Sequence, residues 1–235
     1  MFKEFFKFST ETEQLGRQKS SEENKNKLIE LINSEDFEID IAKLVDIYKP
    51  GNLIHGIKKV DPQILESLFE NGLLTSKDVE KKEKERDIKF SHQRFSGHEN
   101  PHRDKVSFSV VQFKPGTRAS MHFTEKENYK SGGHEPEGAG LVLNPDFVKS
   151  NIKRFSSDPD FSKFRDGLGD EITCKGSLPI SEIQAIISPR KFQELIIEAV
   201  LSHSSNIGEI IYIYDTKGNL VWPVAKKVED IKNIK

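Results

Sequence analysis

Asn52-Leu53-Ile54-His55-Gly56-Ile57 is the stretch on which the reading of this chain turns. It is a short apolar run with one ionisable side chain, and a glycine follows that side chain at once. Asp61 can cap the helix that comes next and Pro62 suits its first turn, while Ile64, Leu65, Leu68 and Phe69 recur on one face until Gly72. The unit therefore reads as strand, loop, amphipathic helix and a Gly72-Leu73-Leu74 exit. His55 alternates with Ile54 and Ile57 and is expected on the other face of the strand from both, beside Gly56, where backbone can approach a ligand. The competing reading is a packed histidine whose hydrogen bonds are satisfied within the fold.

Upstream, residues 1–50 read as a helical lead-in. Ser20-Ser21-Glu22-Glu23 is a capping pattern before Leu28, Ile29, Leu31 and Ile32, and a second short helix is expected around Ile41 to Tyr48. Pro50-Gly51 then marks a boundary. The expected division is 1–50 as an appendage and 51–235 as the domain proper, so that a chain begun near Asn52 would still fold.

Downstream, the mixed-sign run from Ser76 to Asp87 reads as a solvated helix or a mobile loop. Val106-Ser107-Phe108-Ser109-Val110-Val111 alternates hydroxyl and larger apolar residues as a strand does, which sets Ser107 and Ser109 on one side. The polar, glycine-rich stretch from Lys114 to Gly138 carries His122, Tyr129 and His134 and is expected to be a loop or lid over a site. Ala139 to Leu143 reads as a strand, with a helix capped by Asn144 after it. Asp158 to Gly169 is loop-like, and Asp170-Glu171-Ile172-Thr173-Cys174 is a strand that opens with two carboxylates. Ile183 to Ile187 is a further strand. The helix after it is expected to use Ser188 as cap and Pro189 in its first turn. Glu209 to Tyr214 and Leu220 to Trp222 form a hairpin around Asp215-Thr216-Lys217-Gly218-Asn219. Strands and helices that mix without strict alternation indicate an α+β fold, a split mixed or antiparallel sheet with flanking helices.

Composition narrows the class. The chain has 235 residues, 34% of them apolar and 31% charged, with 36 basic against 38 acidic side chains. A near-neutral balance gives no global field for nucleic acid or an anionic membrane. The single cysteine, Cys174, excludes an internal disulfide framework and a cysteine-rich zinc site, and reads as a small buried hydrophobe. No apolar run reaches membrane-spanning length, and Glu4 and Lys7 interrupt the aromatic N-terminus, so it is not a signal-peptide core. The expected setting is soluble, cytoplasmic or exported by a system without a classical signal peptide, with no membrane partner.

His98-Glu99-Asn100-Pro101-His102 matches the zinc-peptidase pattern in letters, but that pattern works only on a helix. Pro101 would remove a helical hydrogen bond and clash with the preceding turn, at a cost of about 3 kcal/mol. A zinc hydrolase using His98, Glu99 and His102 is thus the weakest of the functional readings, and no metal site is expected from His92, His98 and His102.

Three pieces in order carry more: His55-Gly56 on an early strand, Ser107-Phe108-Ser109 on a middle strand, and Glu171 opening a late strand that precedes Pro179-Ile180 and Ile183. With Gly72-Leu73-Leu74 closing the first helix, this resembles the ADP-ribosyltransferase superfamily. The likeness is to its His-Gly and Glu type, the side that includes poly(ADP-ribose) polymerases, tRNA 2'-phosphotransferases and DNA-modifying bacterial toxins. It covers roughly residues 51 to 223. The resemblance implies that NAD is the substrate, that His55 bonds a ribose hydroxyl, and that the Gly56 backbone holds the nicotinamide carboxamide. It further implies that Ser107, Ser109 and Tyr129 complete the NAD site, Tyr129 as the stacking aromatic, and that Glu171 is catalytic. Ile57 stands where many members carry Thr or Ser.

The implied reaction is transfer of ADP-ribose to a protein or nucleic-acid acceptor with release of nicotinamide, in a toxin or effector. Breaking the glycosidic bond develops positive charge on the ribose, and one carboxylate stabilises it because nicotinamide leaves as a neutral species. Asp170 competes with Glu171 for that role. From another class, the alternative is a non-catalytic module that binds a nucleotide or a partner on the same fold.

Overall fold

The structure is a computed structural model that describes residues 25–34, 44–57, 60–86, 103–111, 138–157, 171–203 and 210–223, together with residues 23 and 39. Its first strand, β1 (Leu53–Ile57), is the stretch quoted above. Helices α1 (residues 25–33), α2 (Pro62–Asn71) and α3 (Ser76–Arg86) come before and after it. They are followed by β2 (Lys105–Val110), β3 (Ala139–Leu143), α4 (Pro145–Ser150), β4 (Phe155–Ser157) and β5 (Glu171–Lys175). The remaining elements are β6 (Ile183–Ile187), α5 (Gln193–Ser202), β7 (Tyr212–Tyr214) and β8 (Leu220–Trp222). The strands make one eight-stranded sheet in the order β4-β5-β2-β1-β3-β6-β7-β8. Among the described strand pairs only β6 and β7 run parallel, and α5 lies between them in the chain. The fold class is α+β, a mixed sheet with flanking helices.

Local chemistry accounts for the elements. Asp61 accepts a hydrogen bond from the Ile64 amide at 2.9 Å and Pro62 opens α2, while the N–H of Gly72 bonds the Leu68 carbonyl to close it. Gly72 has φ +72°, and a Cβ there would lie 2.1 Å from the Leu178 carbonyl oxygen, so only glycine lets the helix exit pair with Leu178. Asn144 caps α4 by accepting from the Asp146 amide. The Asp215 carboxylate accepts from the Lys217 and Asn219 amides and builds the β7–β8 turn. The charged run after Ser76 is helical, with Val79 as its buried anchor.

Both faces of the sheet are covered, each by different parts of the chain. On one, Leu53, Phe108, Leu141, Ile186 and Ile213 pack with Leu65, Leu68 and Phe69 of α2 and Ile196 and Val200 of α5. On the other, Ile54, Val142, Ala185, Ile187, Tyr212 and Tyr214 pack with Ile47, which is 1% exposed, and with Leu44, Val45 and Tyr48. The Val45 amide donates to the Tyr214 hydroxyl, and the Tyr48 hydroxyl donates to the Thr216 carbonyl. Within the expected Ile41–Tyr48 helix, residues 44–48 are instead an irregular segment ending in a turn, because they run along the sheet and bond to it. A second difference concerns α5. Ser188 is buried and donates to the Pro189 carbonyl rather than capping, and a 3-10 turn over Arg190–Phe192 leads into the helix. Among the described residues no helix is long and apolar enough to cross a membrane.

Candidate functional site

Register brings the three sequence motifs onto neighbouring strands. Ile54 pairs with Ser109, and Ser109 pairs in turn with Glu171, so β1, β2 and β5 are level at these residues. With strands about 4.8 Å apart, two steps put the backbone beside His55 roughly 10 Å from that of Glu171. Glu171 is the first residue of β5. The order of motifs along the sequence thus becomes a juxtaposition of backbones across the sheet, with the Glu171 position on the Ile54 face, opposite that of His55.

His55 is half-buried and shares a face with Leu53, opposite Ile54 as expected. Ile57 packs on the same side as His55 rather than opposite it, since two residues of a strand lie between equivalent positions. The imidazole meets the Phe108 ring edge-on at 5.8 Å, and Nδ1 donates to the Ser107 carbonyl at 2.8 Å. A carbonyl oxygen only accepts, so Nδ1 carries a proton in this contact. That bond forms just past the point where the β1–β2 register runs through Leu53↔Val110 and Ile54↔Ser109.

The two serines share one side of β2, as expected. Ser109 pairs with Ile54 and shares its face, and Ser107 lies two residues away, so both hydroxyls stand on the face opposite the imidazole. Ser107 acts on His55 through its carbonyl. Thr173, 1% exposed, faces Ser107 across the β2–β5 ladder, and its hydroxyl bonds Ser156 in β4 at 3.1 Å. Gly56 pairs with Gly140 of β3 on the Ile54–Val142 face of the sheet, and Gly140 is buried. The β1–β3 register was not readable in sequence, because Gly140 acquires meaning only when paired with Gly56.

Tyr129, the expected nicotinamide-stacking residue, lies outside the described residues, as do Asp170, His92, His98, Glu99, His102, His122 and His134. Among the described residues no group of three or more His, Cys, Asp or Glu side chains is placed to hold a metal ion. Cys174 is fully buried in the helix-covered core, and that burial pushes its thiol above the ordinary value, away from nucleophilic use. Electrostatic adjustment is clearest at the other end of β5. The Asp78 carboxylate accepts from the Ser177 and Thr75 hydroxyls, and these bonds hold its pKa below the usual 3.8. Burial raises Glu182 despite the nearby Arg154.

No protein-family model matches the chain, and no curated protein matches it in sequence. Among solved structures the chain is similar to Thermus sp. 2.9 DarT in complex with carba-NAD+, at 12% identity and a TM-score of 0.43. It is likewise similar to Thermus sp. 2.9 DarT in complex with NAD+, at 14% identity and a TM-score of 0.40. Each likeness covers 73% of this chain and 98% of the other.

Proposed function

We propose that the chain is an NAD-dependent ADP-ribosyltransferase, with His55 and Gly56 holding NAD and Glu171 carrying the chemistry. The observation that supports this most is the level pairing of Ile54, Ser109 and Glu171 across three adjacent strands. It brings the backbones of the His-Gly and Glu motifs to roughly 10 Å, with the Glu171 position on the Ile54 face of the sheet and the imidazole on the other, so the dinucleotide has to reach around the strand ends to meet both. His55 bonds a ribose hydroxyl, with its ring oriented by the Ser107 carbonyl. The Gly56 backbone holds the carboxamide of nicotinamide. The bond between nicotinamide and ribose breaks with its electron pair leaving on nicotinamide. The ribose carbon then bonds the acceptor nucleophile, whose proton passes to the Glu171 carboxylate or to water. On this reading Ser107 serves through its carbonyl, and Tyr129 remains the stacking candidate. The acceptor is a protein or a nucleic acid.

The test is to incubate the full chain with NAD labelled in its adenylate half, together with a lysate, and to follow nicotinamide release and transferred label. Turnover by the parent chain is expected. Glu171→Gln keeps the shape but removes charge needed only in the transition state, so turnover should drop by about a hundredfold to a thousandfold with KM little changed. NAD binding with neither release nor transfer would instead establish a non-catalytic nucleotide-binding module. Unchanged turnover in Glu171→Gln would move the search to Asp170.

A further inference from the structure

The far end of β5 is held by a set of ties that converge on Arg154. Its Nε and Nη2 donate to the Lys175 carbonyl at 3.0 and 2.9 Å, and Nη2 also donates to the Ser177 carbonyl at 3.1 Å. The guanidinium lies over the Phe147 ring of α4, 5.7 Å from its centroid. Around the same four residues, the Gly176 amide donates to the Asp104 carbonyl, Leu178 and Leu73 exchange two backbone bonds, and the Ser177 hydroxyl donates to Asp78. Arg154 comes just before β4, the edge strand that pairs with β5 through Phe155↔Cys174, Ser156↔Thr173 and Ser157↔Ile172. One planar fork thus joins the start of the edge strand to the end of its neighbour.

We propose that Arg154 is a positioning residue for the reaction at Glu171, a claim that rests on the reading of Glu171 given above. Four residue steps separate Glu171 from Lys175, about 14 Å of extended chain, and the strand between them transmits placement as a stiff element. The ladder with β2 runs without a shift from Lys105↔Lys175 to Ser109↔Glu171, so whatever fixes Lys175 along the sheet fixes Glu171 at the level of Ile54. A carboxylate that stabilises a developing charge must be placed closely. A displacement of about 1 Å caused far from the chemistry can cost on the order of a hundredfold in rate. Lysine keeps the charge of Arg154 but cannot serve both carbonyls from one plane while stacking on Phe147.

The experiment compares Arg154→Lys with the parent full-length chain. We measure kcat and KM for NAD, and hydrogen exchange at the Ile172 and Thr173 amides of β5 against the Leu141 and Ile186 amides of β3 and β6. The expected result is a kcat lower by about tenfold to a hundredfold, a KM within about threefold of the parent, and lost protection confined to β5. Unchanged protection in β5 overturns the proposal whatever the activity, and so does lost protection with kcat within about twofold of the parent. If Glu171→Gln retains full turnover, the catalytic reading fails, and Arg154 positioning a catalytic Glu171 fails with it. The exchange data then still report separately whether Arg154 anchors β5. Should Arg154→Lys not fold, Phe147→Leu removes the ring beneath the guanidinium and leaves its hydrogen bonds. It is expected to shift kcat and β5 protection in the same direction by less, and no shift in either overturns the proposal.

Discussion

At the scale of single residues, His55 and Asp78 show how one hydrogen bond sets what a side chain can do. The contact from Nδ1 of His55 to the Ser107 carbonyl fixes the orientation of the ring on β1. His55→Ala removes a contact made equally in ground and transition states. We expect the NAD dissociation constant to rise by roughly fivefold to thirtyfold, with the rate of bound substrate changed less. Titration calorimetry beside single-turnover rates checks this, and a defect in rate alone would contradict it. Asp78 provides a pH prediction. Its pKa is depressed in the fold by the Ser177 and Thr75 hydroxyls, so its contribution to stability is present above the ordinary 3.8 and is lost as pH falls through the lower folded value. Asp78→Asn should therefore be less stable than the parent at neutral pH, and the gap should close as pH falls below the ordinary 3.8. Urea midpoints on both sides of that value decide it, since a gap that stays constant would mean the hydroxyl bonds do not favour the ionised form.

At the scale of elements, legibility followed locality. Helix α2 could be read because Asp61, Pro62 and Gly72 signal its two ends within a dozen residues, and the β7–β8 turn because Asp215 satisfies its own neighbours. Strands β2, β3, β5 and β6 were readable from alternation and apolar runs. The segment 44–48 was not, since its irregular path is held by Tyr214 and Thr216, residues that no local pattern connects to it. The same holds for the Arg154 fork and for the Asp78–Ser177 bond, which spans 99 residues of sequence. In the site, the motifs, their order and the alternation within each strand could be read, but which face of β2 and β5 matches that of the imidazole could not, because that is set by register between strands. That is why the serine hydroxyls lie opposite the imidazole instead of beside it. Gly72 ties element to element, and Gly72→Ala tests this. The backbone conformation alone should cost about 1–3 kcal/mol, before the contact with Leu178 is relieved. Thermal denaturation showing no loss would mean that the α2 exit rearranges freely.

At the scale of the whole molecule, the sheet is a layer between α2 and α5 on one side and residues 44–48 on the other. A chain begun near Asn52 would expose Ile54, Val142, Ala185 and Ile187, so on this packing we expect it to lose cooperative melting. Ile47→Ala is the graded form, expected to destabilise by about 2–5 kcal/mol. Intact cooperative unfolding of the shortened chain would show that the sheet needs no cover there. Tyr214 and Val45 are 169 residues apart in sequence, yet they share a hydrogen bond. During synthesis the segment that contains Ile47 leaves the ribosome long before the strand that receives it. At about 5–20 residues per second, the wait is on the order of 8 to 34 seconds. Through that interval an apolar ribbon and the growing edge of the sheet are exposed together, which makes the nascent chain, more than the finished protein, the form most in need of a chaperone.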